Sequence, residues 1–187
     1  MDLMDQLSGL LQKYTGAEAG QAPESVHDDF DQVAQAAPQP VVADGLAAAF
    51  RSDQTPDFGQ MTANLFSNSN PQQRAGLLNT ILKYAGPSIL SHFTSGGGGT
   101  GGSTGGGGLS DLINIFRGGQ QQEVTPEQAQ QIPPEAVEQV AAQAQKHDPS
   151  IIDRVSDFYS EHPTLVKALG TAALTIALSK IAKNQFG

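Results

Sequence analysis

Chemistry on this chain would have to start from its four histidines, because it contains no cysteine. They are His27, His92, His147 and His162. His27 has Asp31 one helical turn later, a spacing at which two side chains can share a divalent ion. An acidic first turn that complements a helix dipole accounts for the same residues more simply. The sequence has no catalytic triad or metalloprotease motif, so we predict a protein that is not an enzyme and has no metal or cofactor.

The other polar groupings also favour structural roles. The carboxylate pairs Asp28 and Asp29, and Asp153 and Asp157, are typical of a solvated acidic face. A glycine-rich run occupies residues 96–108. It lacks the GK[ST] ending of a phosphate-binding loop and follows no predicted strand, so we interpret it as a flexible linker.

Net charge limits the partners. Lys and Arg number 10 and Asp and Glu 19, which gives −9 at pH 7. Such a chain repels phosphate backbones, so no nucleic-acid partner is expected. The start, MDLMDQLSGLL, is acidic where a secretory signal is basic, and the lack of cysteine fits a reducing compartment. We predict a cytoplasmic protein.

Apolar residues recur at helical spacing along most of the chain, and no segment alternates as a strand would. The predicted fold is therefore all-α. Five prolines are predicted to lie at first helical positions, and four of them follow a helix-capping residue type. They are Pro56, Pro71, Pro126 and Pro149, with Pro163 after His162 as the fifth. A further helix starts at Pro134, and the helix from Pro71 is predicted to stop at Gly86–Pro87.

The positions of these prolines and of the glycine-rich run predict two small helical modules, residues 23–95 and 120–187, joined by the glycine-rich linker. An N-terminal amphipathic helix and loop, residues 1–22, precede them. Three prolines of the first module match three of the second at offsets of 94, 93 and 92 residues, which indicates an internal duplication. The pairs are Pro40 with Pro134, Pro56 with Pro149, and Pro71 with Pro163.

A short amphipathic segment, residues 109–119, follows the linker. With glycine on both sides, two helical turns cannot hold themselves folded in water. We therefore predict that the segment docks on a partner protein as a helix in a groove. The docking residues are Leu109, Leu112, Ile113 and Phe116.

Residues 163–187 read as one helix that is apolar on two opposite sides and carries three lysines and no acid. A helix of this kind must be covered on both sides. Three interpretations stay open: a core helix, a self-association contact of a homo-oligomer, or an interfacial anchor on an anionic membrane surface. The predicted self-association residues are Leu165, Leu169, Ala172, Ala173, Leu174, Ile176, Leu178 and Ile181.

The segments FDQVAQ, GLAAAFRSDQTPDFG and HPTLVKALG give the chain a wider likeness. It resembles a group of proteins of unknown function from soil and other environmental bacteria, and in composition the YidB-like proteins. Its plan is similar to the helical scaffold subunit of a large oligomeric hydrogenase. The resemblance implies no catalytic residue. We expect a non-catalytic scaffold or adaptor that self-associates and organises partner proteins, with membrane-peripheral attachment as the alternative.

Overall fold

The computed structural model describes residues 3–17, 20, 23–95 and 123–186. Within them the chain forms ten α-helices and one 3-10 turn and has no strand, which confirms the all-α prediction. The first five helices are α1 Leu3–Gln12, α2 Val26–Ala36, α3 Gln39–Phe50, α4 Phe58–Asn68 and α5 Pro71–Ser95. The others are α6 Pro126–Gln131, α7 Pro134–His147, α8 Ile151–Ser160, α9 Pro163–Val166 and α10 Thr171–Phe186.

Proline marks the helix starts for a physical reason. Its fixed φ suits the first turn, where its missing N–H would have no intrahelical acceptor. Pro71, Pro126 and Pro163 each begin a helix, as predicted. Pro56 and Pro149 each lie two residues before a helix, so the prediction is wrong at those two positions.

Two of these starts are closed by reciprocal side-chain caps. Asn70 Oδ1 accepts from the Gln73 backbone N–H at 2.9 Å, and Gln73 Oε1 accepts from the Asn70 N–H. Thr125 and Gln128 make the same pair of hydrogen bonds. Each cap provides hydrogen-bond acceptors for two backbone N–H groups that would have none in the first turn, so it fixes where the helix begins.

Two predicted helix boundaries are wrong. Helix α5 continues through Gly86–Pro87 to Ser95. The fixed φ of proline fits a helix, and its missing N–H and the contact of its ring with the preceding turn do not end the helix here. The terminal segment is not one helix. A 3-10 turn, Lys167–Leu169, ends at Gly170, whose φ of 85° lies in the left-handed region that favours glycine. Residues before and after Gly170 therefore do not share one helical face.

The chain divides into two compact units. The first contains residues 1–57 and 152–187 and the second residues 58–151. The first unit therefore takes helices from both predicted modules, and so does the second. This division along the chain differs from the predicted bounds of 23–95 and 120–187.

The core of the first unit lies where α10 packs on α3, with α1 and α2 against it. Gly45 of α3 makes this approach possible. A Cβ at position 45 would lie 2.7 Å from Ile181 Cγ1 and 2.8 Å from the backbone oxygen of Ala177. Any side chain larger than hydrogen would therefore push α3 and α10 apart.

The second unit also contains two helices that pack closely at a glycine. Its α4 packs on α7, while α5 packs on α6 and α7. A Cβ at Gly59 of α4 would lie 2.7 Å from the backbone oxygen of Glu138 and 3.3 Å from Ala142 Cβ, both on α7. Each unit therefore contains a helix pair whose closeness depends on one buried glycine.

Candidate functional site

The predicted docking segment, 109–119, and the linker before it lie outside the described residues. The structure does describe the chain on either side of them. On one side is the end of α5 at Ser95, and on the other the chain enters α6 after Val124. Both sides belong to the second unit.

The side chain of Asn79 on α5 binds the chain just before α6. Its side-chain Oδ1 accepts from the Val124 N–H at 2.6 Å, and its Nδ2 donates to the Val124 carbonyl at 3.2 Å. The Val124 side chain is 2% exposed. One amide side chain thus replaces both partners that a neighbouring backbone would supply, and it fixes Val124 at a defined point on α5.

This attachment fixes one of the two points that residues 96–122 must connect, and the end of α5 is the other. Asn79 precedes the end of α5 by about 16 residues, or about 24 Å of helix. The 27 residues from 96 to 122 have a fully extended length of about 90 Å. The chain between α5 and Val124 therefore has ample length to carry residues 109–116 to a separate protein and return.

The predicted self-association residues mostly lie in the core of a single chain. Five of the eight are buried: Leu169 at 8% exposure, and Ala173, Leu174, Leu178 and Ile181 at 0%. The remaining three, Leu165, Ala172 and Ile176, are half-buried. The structure thus shows α10 as a core helix.

The physical reason is that one chain covers both flanks of α10 by itself. Helices α1, α2 and α3 surround it, so its outward positions are polar or partly exposed. The exposed ones include Thr171, Lys180, Lys183 and Asn184. An interfacial anchor needs an exposed apolar face, and residues 171–184 of α10 do not offer one. Among the described residues, no helix combines the length and hydropathy needed to cross a bilayer.

A polar cluster lies inside the first unit, between the end of α1 and the start of α2. The Tyr14 hydroxyl donates to Asp29 Oδ2 at 2.6 Å, and Ser25 Oγ donates to the same oxygen at 2.9 Å. Tyr14 is 0% exposed and Asp29 5%. Because a buried carboxylate without donors is costly, this cluster ties the turn after α1 to α2.

Asp29 corrects the sequence interpretation. It was grouped with Asp28 on a solvated acidic face, and Asp28 is indeed exposed, whereas Asp29 is buried. A signal was available, since Asp29 falls three residues after Val26 and four before Val33, which places it on the apolar stripe of α2.

Burial and the hydrogen bond and charge of Asp29 raise the pKa of Tyr14 well above its ordinary value of 10.0. Below pH 10 the phenol is neutral in both the folded and the unfolded chain. Above pH 10 the unfolded chain loses this proton while the folded chain keeps it, so the free energy of unfolding must fall as pH rises. One proton changes it by up to about 1.4 kcal/mol per pH unit.

We therefore expect Tyr14→Phe to remove part of the alkaline loss of stability, as measured by urea unfolding at pH 9, 10 and 11. Tyr84→Phe is the matched control, because Tyr84 is 40% exposed and this variant keeps the Tyr14 phenol. Equal pH dependence in the Tyr14→Phe variant and the unmodified chain would contradict the assignment.

The structure gives His162 and the predicted partner of His27 contacts of another kind. Asp31, the predicted partner of His27, pairs with Lys167 instead. His162 lies edge-on to Phe158, with ring centroids 5.2 Å apart. No group of three or more His, Asp or Glu side chains within the described ranges could hold a metal ion.

Searches against family models, curated proteins and solved structures find no match for this chain. The resemblance to environmental bacterial proteins therefore stays a prediction, and no residue role is transferred from a relative.

Proposed function

We propose that the chain is a non-catalytic helical adaptor that binds a partner protein through residues 109–116. The observation that carries this proposal is the pair of hydrogen bonds between Asn79 and the backbone of Val124. They hold the returning chain on the same unit from which α5 departs. The described residues on both sides of the segment therefore belong to one unit.

Sequence supports the binding mode. Leu109, Leu112, Ile113 and Phe116 fall at i, i+3, i+4 and i+7, the spacing of one helical face. So short a helix is unstable alone in water, and a hydrophobic groove on a partner supplies the missing contacts. Attachment of both ends to one folded unit shortens the search of the segment for that groove.

The physical reason for predicting self-association through α10 no longer applies. That prediction depends on the need of a helix that is apolar on two sides for cover on both. Burial of Leu174, Leu178 and Ile181 within one chain supplies that cover. The lipid-surface alternative weakens for the same reason, and we propose residues 109–116 as the partner contact.

The test is quantitative affinity capture from the native cell with the full-length chain and two variants. One variant carries Leu112→Asp and Phe116→Asp on the apolar face. The control carries Ser110→Asp and Asn114→Asp, which adds the same two charges on the other face. We expect at least one protein to be retained by the unmodified chain and the control and to fall at least tenfold with the apolar-face variant. Identical protein sets from all three chains, with unchanged circular dichroism, would contradict the proposal.

A further inference from the structure

The helices of the two halves begin in the same register. Helix α7 starts 95 residues after α3, α8 starts 93 after α4, and α9 starts 92 after α5. Helix α6 ends 95 residues after α2. Proline precedes the first residue of both α3 and α7, at Pro38 and Pro133. The spacing of the prolines in the sequence thus corresponds to a spacing of whole helices.

Burial follows the same register. At an offset of 94 residues, five buried positions of α3 each match a buried position of α7. The pairs are Val42 with Ala136, Ala43 with Val137, Leu46 with Val140, Ala47 with Ala141, and Phe50 with Ala144. Both helices therefore present the same inward face.

Helices α4 and α8 agree in the same way at an offset of 93 residues. Five buried positions of α4 match five of α8. The pairs are Phe58 with Ile151, Gly59 with Ile152, Thr62 with Val155, Ala63 with Ser156, and Phe66 with Tyr159. Two helix pairs with matching buried faces indicate two copies of one module: α2 to α5, and α6 to α10, in which α9 and α10 together correspond to α5.

The packing partners of these helices are exchanged between the copies. In the first unit α2 and α3 of copy one pack on α10 of copy two. In the second unit α6 and α7 of copy two pack on α5 of copy one, which is the equivalent pairing in reverse. A reciprocal arrangement also links the second and third helices of the copies. Helix α7 packs on α4, and Arg51 Nη2, just after α3, lies 2.8 Å from Asp153 Oδ2 on α8.

We infer that the surface formed by the first two helices of each copy binds the last two helices of a second copy of the same module. Each compact unit is one such complex, made of half of copy one and half of copy two. The occupant of this surface is therefore a second copy of the module, which the chain itself supplies. This inference is independent of the proposed adaptor function.

In an isolated copy, the helix faces that are buried in the full chain would be exposed to water. The Gly45 surface on α3 would lack Ile181, and the Gly59 surface on α4 would lack Glu138 and Ala142. The connection through residues 96–122 then needs only to keep two copies together, and the helix contacts hold them once formed.

The experiment cuts the folded, full-length chain. A protease recognition sequence is inserted after Thr100, so that cleavage separates α1–α5 from α6–α10. The inference predicts that the two fragments elute together at a mass ratio of one to one, with unchanged circular dichroism, and that they separate only in denaturant. Elution as two independent folded fragments would overturn it.

A glycine variant shows whether the exchanged contacts hold the fragments. Gly59→Ala, made in the cleavable chain, should raise the fragment dissociation constant at least tenfold, because Glu138 and Ala142 belong to the other fragment. Gly45→Ala should act in the same direction through Ile181. Gly9→Ala adds the same methyl group to a helix where no atom lies within 4 Å, and it should leave the constant within twofold. Equal constants for all three variants would contradict the exchange.

Discussion

Ending the chain after Glu161 is expected to unfold the first unit, not to yield a smaller folded protein. The truncation removes α9 and α10, on which α2 and α3 pack. Five large apolar side chains that are at most 8% exposed leave with them: Val166, Leu169, Leu174, Leu178 and Ile181. At about 2 kcal/mol each, their loss is about 10 kcal/mol, comparable with the whole stability of a small domain.

Hydrogen exchange followed by mass spectrometry measures this result directly. Amides of α3, which lies far from residue 161 in sequence, should lose their protection in the truncated chain. A chain that ends after Lys183 is the control, because it keeps those five side chains. Retained protection of α3 after truncation at Glu161 would show that α10 is dispensable to the fold, as an assembly contact would be.

Gly45→Ala is expected to lower the free energy of unfolding of the first unit by about 1–3 kcal/mol. The added methyl group would meet Ile181 Cγ1 at 2.7 Å and the Ala177 backbone oxygen at 2.8 Å. The Ile181 side chain can adjust, but a backbone oxygen moves only if α10 moves. The cost therefore arises from displaced helix packing. Urea unfolding followed by circular dichroism measures it.

Gly9→Ala separates packing from helix propensity. Gly9 is an exposed residue of α1 with nothing within 4 Å of its Cβ position. Alanine is a better helix former than glycine, so this change should be neutral or stabilising by up to about 1 kcal/mol. Opposite signs at positions 45 and 9 are the expected outcome. A stabilising Gly45→Ala would mean that α3 and α10 are not closely packed.

Local features of the fold were predictable from the sequence because they depend on local chemistry. Periodic apolar residues predict helices, and Pro71, Pro126 and Pro163 begin helices since a first turn tolerates a missing N–H. The dependence of the terminal segment on cover from both sides also followed from its composition. Core, assembly contact and lipid anchor all satisfy that requirement, so the sequence left the choice among them open.

Which helices pack on each other could not be predicted from these local sequence patterns. Nothing near Gly45 in the sequence indicates that Ala177 and Ile181 lie against it, because that contact joins residues more than 130 positions apart. The hydrogen bond that Tyr14 donates to Asp29 from the end of another helix was likewise not predictable from the sequence. The break at Gly170 decides which residues of the terminal segment share a face, and a helical wheel drawn through it misplaces Leu165.

Urea unfolding of the full-length chain at 1 µM and at 100 µM tests the central claim, that one chain covers α10 by itself. A core formed within one chain gives the same midpoint at both concentrations. A core completed by a second molecule would gain about 2.7 kcal/mol over this hundredfold range, which raises the midpoint by about 1 M or more. Coincident midpoints are the predicted result, and a rise of that size would contradict the account.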